Sequence, residues 1–363
     1  MFIGRGRLQD VVLELNRQRE SRVDVILDGR TLAVNDKCRL VPVGPQAGEW
    51  LPTDGLPFKI EALKQLGQRL SPEVPGKFLE TLASERGPLA GHLLTGLLQE
   101  PKRHFVRCLD GQVRAVLSNR YRVIDNYDVA FAALEAVRRN GGEALESRLS
   151  DKVMELTFTD RNTVERLEGV IKTGGRGNHR FVDLTKDEDG GGGGEIVHPY
   201  VRVRNSETGH GGFDVSVGIF RSMCVNGVVV ESLASQIHLG ETLDVGRWSD
   251  ETRSAESKAV MLKLADAVAS AFHPETFKRM ILIANRAQAD KIDAPSAAVD
   301  QLIANSDLPQ ESRDAILSYF LADYDASRYG LSQAVARFAQ DTDDADRASE
   351  IESLAGKVLV GAV

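Results

Sequence analysis

Residues 201–240 read VRVRNSETGHGGFDVSVGIFRSMCVNGVVVESLASQIHLG, and apolar and polar residues alternate along them. In an extended chain Val201 and Val203 share one face, while Tyr200, Arg202 and Arg204 share the other. Gly209, Gly211 and Gly212 supply a turn, and a second alternating run from 213 to 220 makes the pair a β-hairpin. Cys224 lies in an apolar run beside Met223 and Val225, as a packed cysteine does, and Asn226-Gly227 predicts a further turn.

Upstream, HFVRCL (104–109) and VRAVLS (113–118) flank Asp110-Gly111, a second hairpin. Asp125 and Asn126 offer an N-cap to a helix with Val129, Ala133, Leu134 and Val137 on its apolar side, ending near Asn140-Gly141-Gly142. A strand follows over 152–159. Nearer the start, the spacing of Leu8, Val11, Val12 and Leu15 predicts a helix. Runs at 23–27 and 31–34 flank Asp28-Gly29 as a small hairpin, and three short helices follow the loop at 42–55. Ser71 before Pro72 is placed to cap the second of these helices.

Beyond 250 the pattern is helical, with helices over 251–272, from Pro274, and over 296–305, 309–322, 331–340 and 344–354. The apolar segment 357–363 reads as a strand returning to the central sheet. The order predicts an α+β fold, a central antiparallel sheet built from hairpins and backed by helices, with a helical C-terminal third. Three regions are expected: 1–100, a β-rich core at 101–250, and a helical region at 251–363 packed on that core. Within the core the five consecutive glycines at 190–194 argue for a mobile loop at 185–195.

No run of eighteen apolar residues is present, and the start lacks a long apolar stretch, so a cytoplasmic protein without a membrane partner is expected. The 3 cysteines, Cys38, Cys108 and Cys224, are far apart, which suits a reducing compartment. Net charge is −8 but unevenly spread. Lys102, Arg103, Arg107, Arg114, Arg120 and Arg122 face only Asp110 within 102–122, whereas 341–352 is acidic.

The chain has no P-loop, no strand-to-helix dinucleotide fingerprint, no H-E-x-x-H and no G-x-S-x-G. No catalytic residue and no cofactor are therefore assigned. His198, Glu207, His210 and His238 are a weak candidate metal set, and Asp125 with Asp128 a carboxylate pair of the kind a metal-dependent nuclease uses. Capping and solvation account for the same residues. The stronger pattern is basic and aromatic: Arg107, Arg114, Arg120, Tyr121 and Arg122 from one hairpin and its exit, with Tyr200, Arg202 and Arg204 on the central strand. Guanidinium groups bind phosphates and tyrosine rings stack on unpaired bases. A solvated face paired to carboxylates is the alternative.

Several blocks in order resemble the phage/plasmid-like protein family, whose domain has no known function. They are RAVLSNRYRVIDN from Arg114, NSETG from Asn205, FRSMCVNG from Phe220, HLG from His238 and YGLSQAV from Tyr329. The resemblance spans roughly 55–360 and departs at the glycine run 190–194. It implies a protein carried by a phage, prophage or plasmid, and it brings no catalytic residues. By analogy of fold it is similar to recombination mediators that anneal single strands. The expectation is thus a homo-oligomeric, non-enzymatic single-stranded DNA-binding and annealing protein. The alternatives are a metal-dependent nuclease and an inhibitor of host defence whose acidic 341–352 segment imitates DNA.

Overall fold

Alternation around Val201 and Val203 becomes the central strand of a seven-stranded antiparallel sheet. The computed structural model describes residues 3–43, 51–167, 171–175, 178–182, 195–221, 226–236 and 249–363. In chain order these form β1 (Ile3–Gly6), α1 (Leu8–Ser21), β2 (Arg22–Asp28), β3 (Leu32–Val34), β4 (Arg39–Pro42) and β5 (Leu56–Pro57). Next come α2 (Ile60–Leu70), α3 (Gly76–Glu85), α4 (Gly87–Leu98), β6 (Arg103–Leu109), β7 (Gln112–Ser118) and α5 (Asn126–Arg139). The strands β8 (Glu143–Leu149), β9 (Met154–Thr159), β10 (Glu165–Leu167), β11 (Ile171–Gly175), β12 (Asn178–Val182), β13 (Glu195–Asn205), β14 (Phe213–Arg221) and β15 (Asn226–Gln236) follow. The chain continues through α6 (Asp250–Ala271), α7 (Pro274–Ala289), α8 (Pro295–Ala304), α9 (Ser312–Asp323), α10 (Arg328–Gln340) and α11 (Ala345–Val360).

The main sheet runs β1-β8-β9-β13-β14-β15, with β10 also on β13. Smaller sheets are β2-β6-β7, β3-β4-β5 and β11-β12. The fold is α+β, with antiparallel sheets and helices throughout the C-terminal third. Val201, Val203, Val215 and Val217 are fully buried in one core with Val129 and Ala133 of α5, Leu264 and Val268 of α6, and Met280 of α7. A second core joins Leu63, Leu66, Leu79, Leu94 and Leu98 of α2–α4 to Val106, Val113 and Val116 of the β6–β7 hairpin. That hairpin turns at Asp110 (φ 54°) and Gly111 (φ 71°), the left-handed pair a two-residue turn requires.

Four local expectations are corrected. The runs around Asp28-Gly29 do not pair with each other; β2 pairs with β6, Val25 opposite Val106, and Gly29–Thr31 is a short 3-10 turn. Glycine is needed at 29 for close approach, because a Cβ there would lie 2.6 Å from the Leu98 carbonyl oxygen. Residues 357–360 are the last turn of α11, closed by Gly361 at φ 78°, with the Ala362 N–H donating to the Lys357 carbonyl at 2.9 Å. Burial of Val358 and Leu359 against the core outweighs their β-propensity. Ser71 closes α2, and α3 opens at Gly76 after Pro75. Asn226 and Gly227 begin β15, where they pair with Arg221 and Phe220. Cys224, His238 and the 190–194 glycines lie outside the described residues.

Candidate functional site

The sheet brings the predicted arginines together in two buried networks, because each guanidinium removed from water needs a carboxylate or carbonyl partner. In the first, Arg107 is 2% exposed. Its Nε and Nη2 donate to the Asp24 carboxylate at 3.0 and 2.9 Å, and its Nη1 donates to the Glu207 carbonyl oxygen at 3.0 Å. Arg114 Nη1 donates to Glu207 Oε2 at 2.8 Å, while Glu207 Oε1 accepts the Asn126 N–H at 2.6 Å. Asn205 Nδ2 donates to the Ile124 carbonyl and to Asn126 Oδ1, each at 2.8 Å. The Tyr121 hydroxyl donates to the Ser206 carbonyl at 2.7 Å, and burial pushes its phenol up from the ordinary range. The NSETG block is therefore a plug that fastens the β13–β14 turn to the β6–β7 hairpin and the start of α5. Arg107, Arg114 and Tyr121 are internal ties rather than an open nucleic-acid face.

The second network covers the other face of β13. Arg148 is flanked by Glu155 at 3.1 Å, Glu352 at 2.7 Å and Glu146 at 3.0 Å. Arg202 Nη1 donates to Ser353 Oγ at 3.1 Å, and its guanidinium stands 3.8 Å from Glu155. Ser349 donates to Glu155 at 2.5 Å. Burial opposes ionisation of Glu155, but Arg202 and Arg148 prevail and hold its carboxyl below the usual range. Burial, with Glu155 nearby, raises Glu352 instead. Tyr200 is buried, with Gly227 so close that a Cβ there would lie 2.3 Å from its ring. Tyr200 and Arg202 thus share the face expected of them, but α11 lies over that face and excludes a stacked base. The acidic stretch is turned partly inward: Glu352 meets Arg148 and Asp346 accepts from Ser150, while exposed Asp344 caps α11.

Arg204 differs. Its guanidinium makes no hydrogen bond or ion pair among the described residues, and its Nε is buried without a partner. It lines a cleft of about 390 Å³ between the β13–β14–β15 strands and α11, together with Arg202, Asp214, Ser216, Ser353 and Lys357.

An open surface lies at the start of α5. Arg120 is exposed, and Arg122 is half-buried, 3.6 Å from Glu256. On the first two turns of α5 the rings of half-buried Tyr127 and exposed Phe131 lie 4.4 Å apart, and the Arg19 guanidinium sits 4.7 Å from the Tyr127 centroid. Phe131 is 41% exposed. Arg19, Tyr127 and Phe131 were not among the residues singled out from sequence. The signal was available: Tyr127 and Phe131 are four apart, off the stripe of Val129, Ala133 and Val137.

The metal candidates are dispersed. His198 Nδ1 meets the Thr163 carbonyl at 3.1 Å, and Glu207 is held by Arg114 and Asn126. His210 Nδ1 meets Thr208 at 3.0 Å, its Nε2 lies 3.5 Å from Glu61, and burial lowers its pKa. Asp125 occupies the N-cap position of α5 without a capping bond, its carboxylate drawn instead to Arg22 at 2.5 Å and Arg107 at 3.3 Å. Burial, then the Asp125 charge, raises Asp128. Among the described residues no three His, Cys, Asp or Glu side chains are placed to hold a metal ion, and no helix is long and apolar enough to cross a membrane. Comparison with protein-family models, curated proteins and solved structures finds no match.

Proposed function

We propose that this protein binds single-stranded DNA without hydrolysing it and anneals complementary strands, as a homo-oligomer serving a phage, prophage or plasmid. The observation that carries the reading is the ring pair of half-buried Tyr127 and exposed Phe131 on α5, with Arg19 over Tyr127, together with Arg120 and Arg122 in the segment that leads into that helix. Aromatic faces take successive bases at about 1–3 kcal/mol each, and nearby guanidinium groups favour phosphate. The contact set differs from the one expected: Arg19, Tyr127 and Phe131 join Arg120 and Arg122, while Arg107, Arg114, Tyr121, Tyr200 and Arg202 are structural. The ordered blocks resembling phage/plasmid-like proteins support the mobile-element setting. A net charge of −8 agrees with a local binding surface rather than indiscriminate attraction to polyanions.

The test is fluorescence anisotropy with labelled single- and double-stranded oligonucleotides over a salt series. Preferential single-strand binding that weakens steeply with salt is expected, as is a shallower salt slope for Arg19→Glu with Arg120→Glu. Equal affinity of the double variant and the parent protein would remove this surface from the proposal.

A further inference from the structure

We infer that the cleft between the β13–β14–β15 strands and α11 is a site for a small organic phosphate bearing hydroxyl groups, the sugar-phosphate class. This site is separate from the α5 surface. Val201 and Val203 of β13 pack in the core with α5, whereas the alternate residues Arg202 and Arg204 face α11.

Two arginine Nε donors beside the cleft have unmet hydrogen-bonding capacity. Arg202 is only 5% exposed, yet its Nε has no partner, and neither has the buried Nε of Arg204. Buried donors of this kind are ordinarily satisfied. The nearby carboxylates are already engaged. Glu155 is shared by Arg148, Arg202 and Ser349, and Glu231 pairs with Arg279 at 2.8 Å. Asp214 stands opposite Arg204 in the strand register but accepts from the Ser216 and Ser232 hydroxyls. Lys357 is exposed at the rim and forms no ion pair among the described residues. Two guanidinium groups and an ammonium therefore border one open space, and a phosphate oxyanion matches the charge of that set.

The remaining lining narrows the ligand class. Asp214 keeps acceptor capacity beyond its two serine bonds, so it suits a ligand hydroxyl rather than a second anion. Phe213 and Val229 give an apolar wall, and about 390 Å³ lies within the range of small-molecule sites. The space suits one phosphate with its sugar.

Isothermal titration calorimetry with ribose 5-phosphate, inorganic phosphate and ribose tests the assignment. Ribose 5-phosphate is expected to bind at least tenfold more tightly than inorganic phosphate, with ribose alone silent. Arg204→Met and Lys357→Gln should each weaken ribose 5-phosphate at least tenfold. Lys357 is exposed, so its variant answers the question even if Arg204→Met misfolds. No binding at millimolar ribose 5-phosphate, or unchanged affinity in Lys357→Gln, would overturn the inference. An oligonucleotide that displaces ribose 5-phosphate and loses affinity in Lys357→Gln would overturn it too, assigning the cleft to a polymer backbone. Oligonucleotide binding that persists in Lys357→Gln while ribose 5-phosphate binding is weakened supports a cleft site separate from the α5 surface.

Discussion

The Arg107 guanidinium donates to the carbonyl oxygen of Glu207, 100 residues further along the chain, at 3.0 Å. The Glu207 side chain meanwhile holds Arg114 and the first N–H of α5. One residue thereby locks a hairpin turn, a second sheet and a helix start together. Glu207→Ala leaves a buried guanidinium and a buried N–H uncompensated, so a loss of about 3–5 kcal/mol is expected. Urea unfolding monitored by fluorescence measures it. A loss below about 1 kcal/mol would show that the plug is held by its backbone contacts alone.

Arg148 is the only cation within ion-pair reach of Glu352 among the described residues, and it also meets Glu155. Arg148→Met strands Glu352 in the interior and leaves Glu155 with Arg202 as its remaining ion-pair partner, and should cost about 3–5 kcal/mol. Glu352→Gln keeps the shape and removes a carboxyl whose ionisation the fold already disfavours, so it should cost much less. Thermal unfolding of the two variants checks the order, and a reversed order would contradict this account.

His104 is fully buried, with Arg69 Nε donating to its Nδ1 at 3.4 Å. Burial, with Arg69 and Lys102 nearby, lowers its pKa from the ordinary 6.5 to about 4. Between these values the unfolded chain takes up a proton that the folded chain refuses, so stability falls as pH drops through this window. The full effect is about 3 kcal/mol. His104→Gln should lack that component. Parallel pH dependences for the two proteins would assign the effect to other groups.

At the α5 surface, Tyr127→Ala and Phe131→Ala should each weaken single-strand binding by about tenfold, the size of one lost base stack. The salt slope should stay unchanged, since neither residue carries charge. Anisotropy at two salt concentrations separates this from a phosphate contact.

The central hairpin, its two-sided alternation and the helices after 250 were legible because period and turn chemistry are local properties. The cover over the arginine face was not. Arg202 meets Ser353 at a separation of 151 residues, and Arg148 meets Glu352 at 204. A basic strand face looks the same in sequence whether its partner is solvent, a phosphate or a distant helix of the same chain. The Asp28-Gly29 reading failed for a related reason. The pair favours a turn, but pairing of β2 with β6 and the close Leu98 carbonyl impose a different local path.

Arg148 and Arg202 also bear on the order of events at the ribosome. Both are made long before Ser349, Glu352 and Ser353 emerge, so a nascent chain arrested near residue 340 has its sheet residues but not the helix that covers them and completes their pairing. Such a product would expose a charged, partly apolar sheet face to its surroundings. Completion of α11 is therefore a late step in making the protein selective, and a stop codon just ahead of it should yield an adhesive chain rather than merely a shorter one.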